Sequence, residues 1–343
     1  MPNSYEPPCS ISPSILRLVA EISERVGRAT STVDAETELR LRRINRIRTI
    51  QGTLAIEGNK LTPEQITAVL EGKRVLAPQK DIQEARNALQ AYELFTNWAP
   101  AREADLLQAH HVLMRSLLDR PGAYRTGGVG VMAGDSVVHM APPADRVPVL
   151  MKQLLDWVAR TDQHPLLVSS IFHYELEFIH PFEDGNGRIG RLWQTLILSR
   201  WRSVFGFLPV ETMVHGNQED YYGALQTSNA AGDSASFVEF MLRMVLATLV
   251  ELDTTGSTEQ VTEQATEQVA RLLTALADEP CSTKALMERL GLAHRPTFLY
   301  DYLRPALDAG LVEMTDPDHP KSPRQRYRLT ETGRRLRTKL DQR

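Results

Sequence analysis

Cysteine is almost missing from this chain: 343 residues hold two, Cys9 and Cys281. Two thiols cannot build a disulfide framework or a four-thiolate zinc site. Long apolar runs are missing too, since none approaches the ~20 residues that a membrane span needs. The opening MPNSYEPPCS lacks the basic and apolar regions of a signal peptide. The expectation is a cytoplasmic protein in a reducing compartment, with no membrane partner. With 42% hydrophobic and 24% charged residues, a mostly disordered chain is excluded. Against a usual domain size of roughly 100–200 residues, the length predicts two domains.

The net charge of −4 is unevenly spread. Residues 284–343 carry 13 Lys and Arg against 8 Asp and Glu, and the remainder 26 against 35. A basic tail on an acidic body points to a separate C-terminal module with a polyanionic or acidic partner.

The prolines of residues 1–13 make a loose or docked arm, and helical spacing begins at Ser14. A second helix is expected from an N-cap at Asp34 to the left-handed signal Gly58-Asn59, and a third opens at Thr62-Pro63-Glu64. Amphipathic segments follow at 79–98, 102–118, 147–157, 166–179, 188–203 and 237–252. Gly127–Met140 differs: valines flank Gly134-Asp135, a hairpin signal. Residues 253–267, with Thr-Glu-Gln recurring, form a polar hinge or solvated helical linker. Beyond it come helices at 268–278, 282–290 and 295–309, then strands at 311–314 and 326–329. Three helices with a two-stranded wing make the winged-helix pattern. The boundaries are therefore 1–34 for arm and first helix, 35–252 for the main body, 253–267 for the linker and 268–343 for the winged-helix domain.

Chemistry concentrates in His180-Pro181-Phe182-Glu183-Asp184-Gly185-Asn186-Gly187-Arg188-Ile189-Gly190-Arg191. An apolar helix ends at Pro181 and another begins near Arg188. The Gly-Asn-Gly turn between them has little bulk, so its N–H groups can converge on an anion at a helix N-terminus. Arg188 and Arg191, three positions apart, share a helix face and suit a di- or triphosphate. Asp184 is the hard oxygen ligand that a phosphate-bound Mg²⁺ requires. His180 can accept a proton near neutral pH. A cradle, a metal carboxylate and a base favour phosphoryl or nucleotidyl transfer. A plain helix corner with solvated charges would also have to account for His, Asp and two Arg at fixed offsets.

This stretch resembles the Fic family signature HPFx[D/E]GNGRxxR at every specified position. The resemblance implies a mainly α fold, a Fic-type helical bundle with a small β-hairpin flap. It implies an enzyme that moves AMP from ATP to a Ser, Thr or Tyr hydroxyl of a target protein and releases pyrophosphate, with Mg²⁺ (Mn²⁺ also acceptable). His180 would then deprotonate the hydroxyl and Asp184 would hold the metal. Gly185, Asn186 and Gly187 would cradle phosphate, Arg188 and Arg191 would orient it, and Ile189 and Gly190 complete the nucleotide-binding run. Val137, Val138, His139 and Met140 lie on the flap, which would cover the nucleotide and accept a target segment as an added strand. Tyr221, Tyr222 and Asn229 resemble adenine-side residues; core packing of one tyrosine is an equal alternative. Thr53–Asn59 resembles the inhibitory pattern [S/T]xxxE[G/N], within a helical element at about 35–62, and implies that Glu57 pairs with Arg191 and blocks productive ATP binding. Homodimers are common among relatives of this kind.

His110-His111 reads as packing, and His173 with Glu175 and Glu177 lacks a zinc arrangement. In the winged helix, Thr297–Gly310 would be the recognition helix, and Lys321, Arg324, Arg326 and Arg328 could touch phosphates; DNA and a protein partner are equal alternatives. Two rival readings stay open: a Fic-fold transferase with another donor or one that removes AMP, and a DNA-binding regulator with a nucleotide-sensing core.

Overall fold

The computed structural model describes residues 5–29, 35–128, 130–133, 136–255, 261–276, 280–292, 298–308, 310–316, 322 and 325–340. The Asp34 cap, Val129, the Gly134-Asp135 turn, Thr297, Lys321 and Arg324 lie outside these residues. The chain divides into two compact units, Met1–Glu251 and Leu252–Arg343.

In the first unit α1 (Pro13–Ala29), α2 (Ala35–Ile56), α3 (Pro63–Leu70), α4 (Gln79–Leu94) and α5 (Glu103–Met114) precede a two-stranded hairpin. The hairpin pairs β1 (Gly130–Ala133) with β2 (Ser136–Met140). Its register sets Val131 opposite His139 and Met132 opposite Val137, so Val138 is an extra residue that makes a bulge. Six helices follow: α6 (Val147–Arg160), α7 (Pro165–Ile179), α8 (Asn186–Trp201), α9 (Val210–Gly216), α10 (Gln218–Ala231) and α11 (Ala235–Thr255).

The α7–α8 pair is the centre of this unit. Almost every residue of α7 from Leu166 to Leu176 is buried, as expected of a helix that is apolar all round. Gly190 on α8 lets the two helices close up: a Cβ there would stand 2.7 Å from the His173 ring. The expected arm is docked. The Tyr5 hydroxyl donates to Glu175 of α7 at 2.7 Å, and Ser234 at the start of α11 donates to the Pro8 carbonyl. α3 carries a full capping box between Thr62 and Gln65, the local reason it starts after Thr62.

α9 and α10 had no counterpart in the sequence reading. On α10 only Tyr221 and Ser228 are buried, so no apolar stripe announces it.

The second unit contains α12 (Val261–Ala275), β3 (Cys281–Ser282), α13 (Thr283–Leu290), a π turn at Phe298–Leu303 that runs into α14 (Arg304–Asp308), β4 (Val312–Met314), β5 (Arg326–Leu329) and α15 (Glu331–Leu340). The sheet has three strands in the order β3-β5-β4, one more than the pattern predicted, because Cys281-Ser282 pairs with Tyr327-Arg326. Leu272, Leu286, Phe298, Val312 and Leu329 meet in its own core. Arg328 is held by Glu313 directly opposite, at 2.6 Å, so this arginine of the strand pair is already engaged. The polar stretch at 253–267 is helical where described, at both of its ends. Among the described residues no helix is long and apolar enough to cross a membrane.

Candidate active site

The site grows from the junction of α7 and α8. Pro181 has no N–H and disfavours helical backbone before it, so α7 ends at Ile179. His180 then adopts φ 50° and ψ 60°, a left-handed conformation uncommon for a side chain with Cβ. Gly185, at φ 84°, turns the chain again into α8. Between them the Asn186 side chain closes the loop on itself: Oδ1 accepts from the Phe182 N–H at 2.9 Å and Nδ2 donates to the Phe182 carbonyl at 3.0 Å. Asn186 therefore acts in this loop as an internal strut, and the anion-facing groups are main chain. The first bond of the helix runs from the Ile189 N–H to the Gly185 carbonyl, 3.0 Å. The amides of Asn186, Gly187 and Arg188 precede it and form the open first turn. Ile189 and Gly190 do not belong to the cradle. The Ile189 side chain is wholly buried, its N–H is spent, and Gly190 is a packing contact with His173.

Both signature arginines are held by acids, Arg191 by Glu57 as the inhibitory pattern implied and Arg188 by two acids that the sequence did not announce. Arg188, 4% exposed, bonds Glu84 of α4 at 3.1 Å and Asp184 at 3.0 Å. Glu84 also accepts from Asn59 Nδ2 at 2.9 Å. Arg191 donates from Nε to Thr53 Oγ1 at 2.8 Å, and from Nη2 to the Thr53 carbonyl at 3.2 Å and to Glu57 Oε1 at 2.6 Å. A buried guanidinium without partners is costly, so each arginine takes the acid that its neighbouring helix offers. The missing Cβ of Gly187 marks how tight this corner is: it would stand 2.6 Å from Glu57 Oε1, 2.9 Å from Arg191 Nη1 and 3.3 Å from Glu177 Oε1. Burial, with the Glu57 charge added, pushes the Glu177 carboxyl up to about 7 despite the Arg191 charge that opposes it.

Asp184 remains half exposed, with one oxygen accepting from the Gly185 N–H and from Arg188. Among the described residues no group of three acids, histidines or cysteines could hold a metal ion by itself. A lone accessible carboxylate beside an anion cradle fits an ion that arrives with phosphate.

On the far side β2 lies near α10, where Tyr222 is exposed and Asn229 accepts from the Tyr174 hydroxyl at 3.0 Å. Tyr221 points the other way. Only 2% exposed, it packs with Phe237 and Phe240 and its hydroxyl bonds His173 Nε2 at 3.2 Å. The adenine-side expectation thus fails for Tyr221, a core residue, for the physical reason that successive helix residues face different directions. The backbones of Val137, Val138, His139 and Met140 form β2 as expected.

Two supporting residues, Glu84 and Arg125, were missed in sequence, and a third, His110, packs as expected but also bonds the loop. His110 stacks on Phe182 with ring centroids 3.7 Å apart, and its Nε2 donates to the Asp184 carbonyl while Nδ1 accepts from Gly122. That pairing requires the neutral ring, and burial lowers its pKa to about 4. Glu84 shares its helix face with Ala88 and Ala91, so an acid on an apolar stripe was its signal. Arg125, 3% exposed, bonds the His180 carbonyl at 2.7 Å; nothing local in Gly-Ala-Tyr-Arg-Thr-Gly-Gly announces it. His173 is buried and neutral between Gln194 and Tyr221, its pKa lowered to about 3 by burial and the Arg191 charge.

Comparison with known proteins converges on one family. The Fic/DOC family model matches residues 100–198, and the model described as filamentation induced by cAMP protein Fic-like, C-terminal domain, matches residues 267–330. Protein adenylyltransferase Fic of Nematostella vectensis is 31% identical over 207 residues, 57% of this chain and 46% of the relative. Protein adenylyltransferase fic-1 of Caenorhabditis elegans is 32% identical over 206 residues, 56% of this chain and 38% of the relative. The chain thus spans less than half the length of these curated relatives. A solved structure of C. elegans Fic-1 (residues 134–508) has the same fold, with TM-score 0.61 at 22% identity over 71% of this chain and 74% of that one. A crystal structure of a Fic family protein from Desulfovibrio desulfuricans G20 superposes with TM-score 0.73 at 54% identity, over 95% of this chain and 99% of that one. With a relative this similar along nearly its whole length, the chain belongs to the Fic family.

Proposed function

We propose that this chain is a protein adenylyltransferase that carries its own inhibitor. The observation that carries the reading is the state of Arg191: the last arginine of the signature is held at 2.6 Å by Glu57, beside an otherwise complete anion cradle. The relatives named protein adenylyltransferase support the choice of reaction.

In this mechanism the first-turn amides of α8 receive the phosphates of ATP. His180 Nε2 takes the proton of a Ser, Thr or Tyr hydroxyl on a target protein. The hydroxyl oxygen bonds the α-phosphorus as the bond from that phosphorus to the α–β bridging oxygen breaks, and pyrophosphate leaves with the electron pair. Asp184 is the residue that would hold Mg²⁺, which when bound neutralises phosphate charge. The β2 backbone offers its edge to the acceptor segment, and Tyr222 and Asn229 line the base side.

Glu57 inhibits by competition. While its carboxylate holds Arg191, the guanidinium cannot receive the γ-phosphate, and a second negative charge stands where that phosphate would go. The C-terminal unit is read as a winged helix that docks a partner macromolecule, separate from the chemistry.

The test is intact-mass analysis after incubation with ATP and Mg²⁺. Glu57→Gly is expected to gain the mass of one or more AMP groups by self-modification. Adding His180→Ala to it is expected to lower the rate by about 10²–10⁴-fold. A Glu57→Gly protein that gains no AMP with any acceptor removes the reading.

A further inference from the structure

Arg125 lies between α5 and the hairpin, and its whole side chain is spent on main-chain carbonyls. Nε donates to the His180 carbonyl at 2.7 Å, and Nη2 reaches the Ile179 carbonyl at 3.3 Å. Nη1 donates to the Gly127 carbonyl at 2.8 Å, and Nη2 also reaches the Pro142 carbonyl at 2.5 Å. Its own N–H donates to the Pro181 carbonyl at 2.9 Å. One guanidinium therefore joins three pieces of chain: the end of α7, the stem that enters β1 and the stem that leaves β2.

Each of these bonds answers a physical need. The last carbonyls of α7 have no helical partner and carry the negative end of the helix dipole, which a cation satisfies. His180 has a left-handed backbone, and among the described residues only Ser116 shares that among non-glycines. Such a conformation persists where its surroundings over-determine it. An ammonium could not replace the fork, because a lysine has a single nitrogen at the end of its stem and cannot reach acceptors on three segments.

Both stems of the hairpin share their anchor with His180. We propose that Arg125 is the positioning residue that keeps the His180 ring and the flap in one register, so that seating an acceptor on the flap also aims the base. This rests on the proposed roles of His180 and the hairpin. The anion cradle is fixed separately, by the Asn186 bonds to Phe182 and the His110 bond to Asp184. Loss of Arg125 should therefore spare nucleotide binding and strike transfer.

Two measurements on the full-length chain test this. The first needs no activity. Hydrogen exchange on Arg125→Lys is expected to accelerate together at the amide of residue 125, at that of His180 and in the paired hairpin strands, by about tenfold or more as charge-assisted bonds are lost. Exchange in 186–191 is expected to stay unchanged. Should Arg125→Lys not fold, the wild type serves: under mild denaturant those same amides are expected to open with one common free energy, distinct from that of 186–191. The second measurement places Arg125→Lys in the Glu57→Gly background. The rate of AMP incorporation is expected to fall by about 10²-fold, the usual effect of a misplaced reacting group, with the KM for ATP held within about twofold.

Acceleration confined to one segment, separate opening energies, or an unchanged kcat would each overturn the proposal. A Glu57→Gly protein without any transfer would instead remove the enzymatic reading, and the exchange experiment would still decide the role of Arg125.

Discussion

The first two turns of α8 set two arginines side by side in different company. Arg188 meets Glu84, which is 6% exposed, lies in the middle of α4 and is itself held by Asn59. Arg191 meets Glu57, which is 28% exposed, stands just past the last residue of α2 and is followed by Gly58 at φ 86°. Both guanidinium groups are buried, so both need an anion. One partner is fixed by the core and the other hangs on a chain end. The same residue type is a core strut in the first case and a half-exposed chain-end contact in the second, and the tether of the acid makes the difference.

Substitutions can break or sharpen that contrast. Glu84→Ala should have the largest effect, since it takes the buried acid from Arg188 and leaves only the half-exposed Asp184 beside it. A loss of about 3–5 kcal/mol is expected in urea unfolding, with no gain in AMP incorporation. An active, stable Glu84→Ala protein would erase the distinction. Glu57→Gly should show the opposite profile, with a rise of about tenfold or more in AMP incorporation, equivalent to ~1.4 kcal/mol of relieved competition, and a smaller loss of stability than Glu84→Ala.

Thr53→Val removes the hydroxyl that accepts from Arg191 Nε at 2.8 Å but keeps the Thr53 carbonyl contact. It should lower stability by about 1 kcal/mol and relieve inhibition less than Glu57→Gly does, in the same two assays. The subtlest effect concerns pH. The Glu177 carboxyl is raised to about 7 against an ordinary 4.5, so the fold favours its neutral form. Its contribution to stability is fully present below about pH 4.5 and lost as pH rises through about 7. Removing Glu57 takes away one upward push, so in Glu57→Gly this loss should be smaller and complete at lower pH, as followed by Tm against pH.

What could be seen in the sequence was what is local. His180 to Arg191 sits within twelve consecutive positions, Gly185 turns the chain where a turn was expected although Asn186 and Gly187 already belong to α8, and the periodic helices α4 to α8 appear with ends shifted by a few residues. The Glu57 motif was visible as well, because its pairing could be expressed as a pattern. Partners distant in sequence were invisible: Glu84 lies 104 positions from Arg188, and Arg125 lies 55 from the carbonyl it holds. Tyr221 and Tyr222 form one dipeptide, yet one is core and one is surface, which only the phase of α10 decides. β3 is too short, and α15 too polar, to signal itself by periodicity.

Gly52 has a consequence for how the protein could ever be switched on. It sits five residues before Glu57, where α2 crosses α9, and a methyl group there would lie 2.7 Å from the backbone of Glu211 and Thr212. Main chain rests on main chain at that crossing, and Thr212 adds a bond to the Arg48 carbonyl at 3.1 Å. The helix is thus built into the body rather than strapped over it. Under the proposed inhibition by Glu57, an activating signal would have only the short stretch beyond this weld to work on, and release would be a matter of uncoiling one terminal turn while the rest of the helix stays where it is.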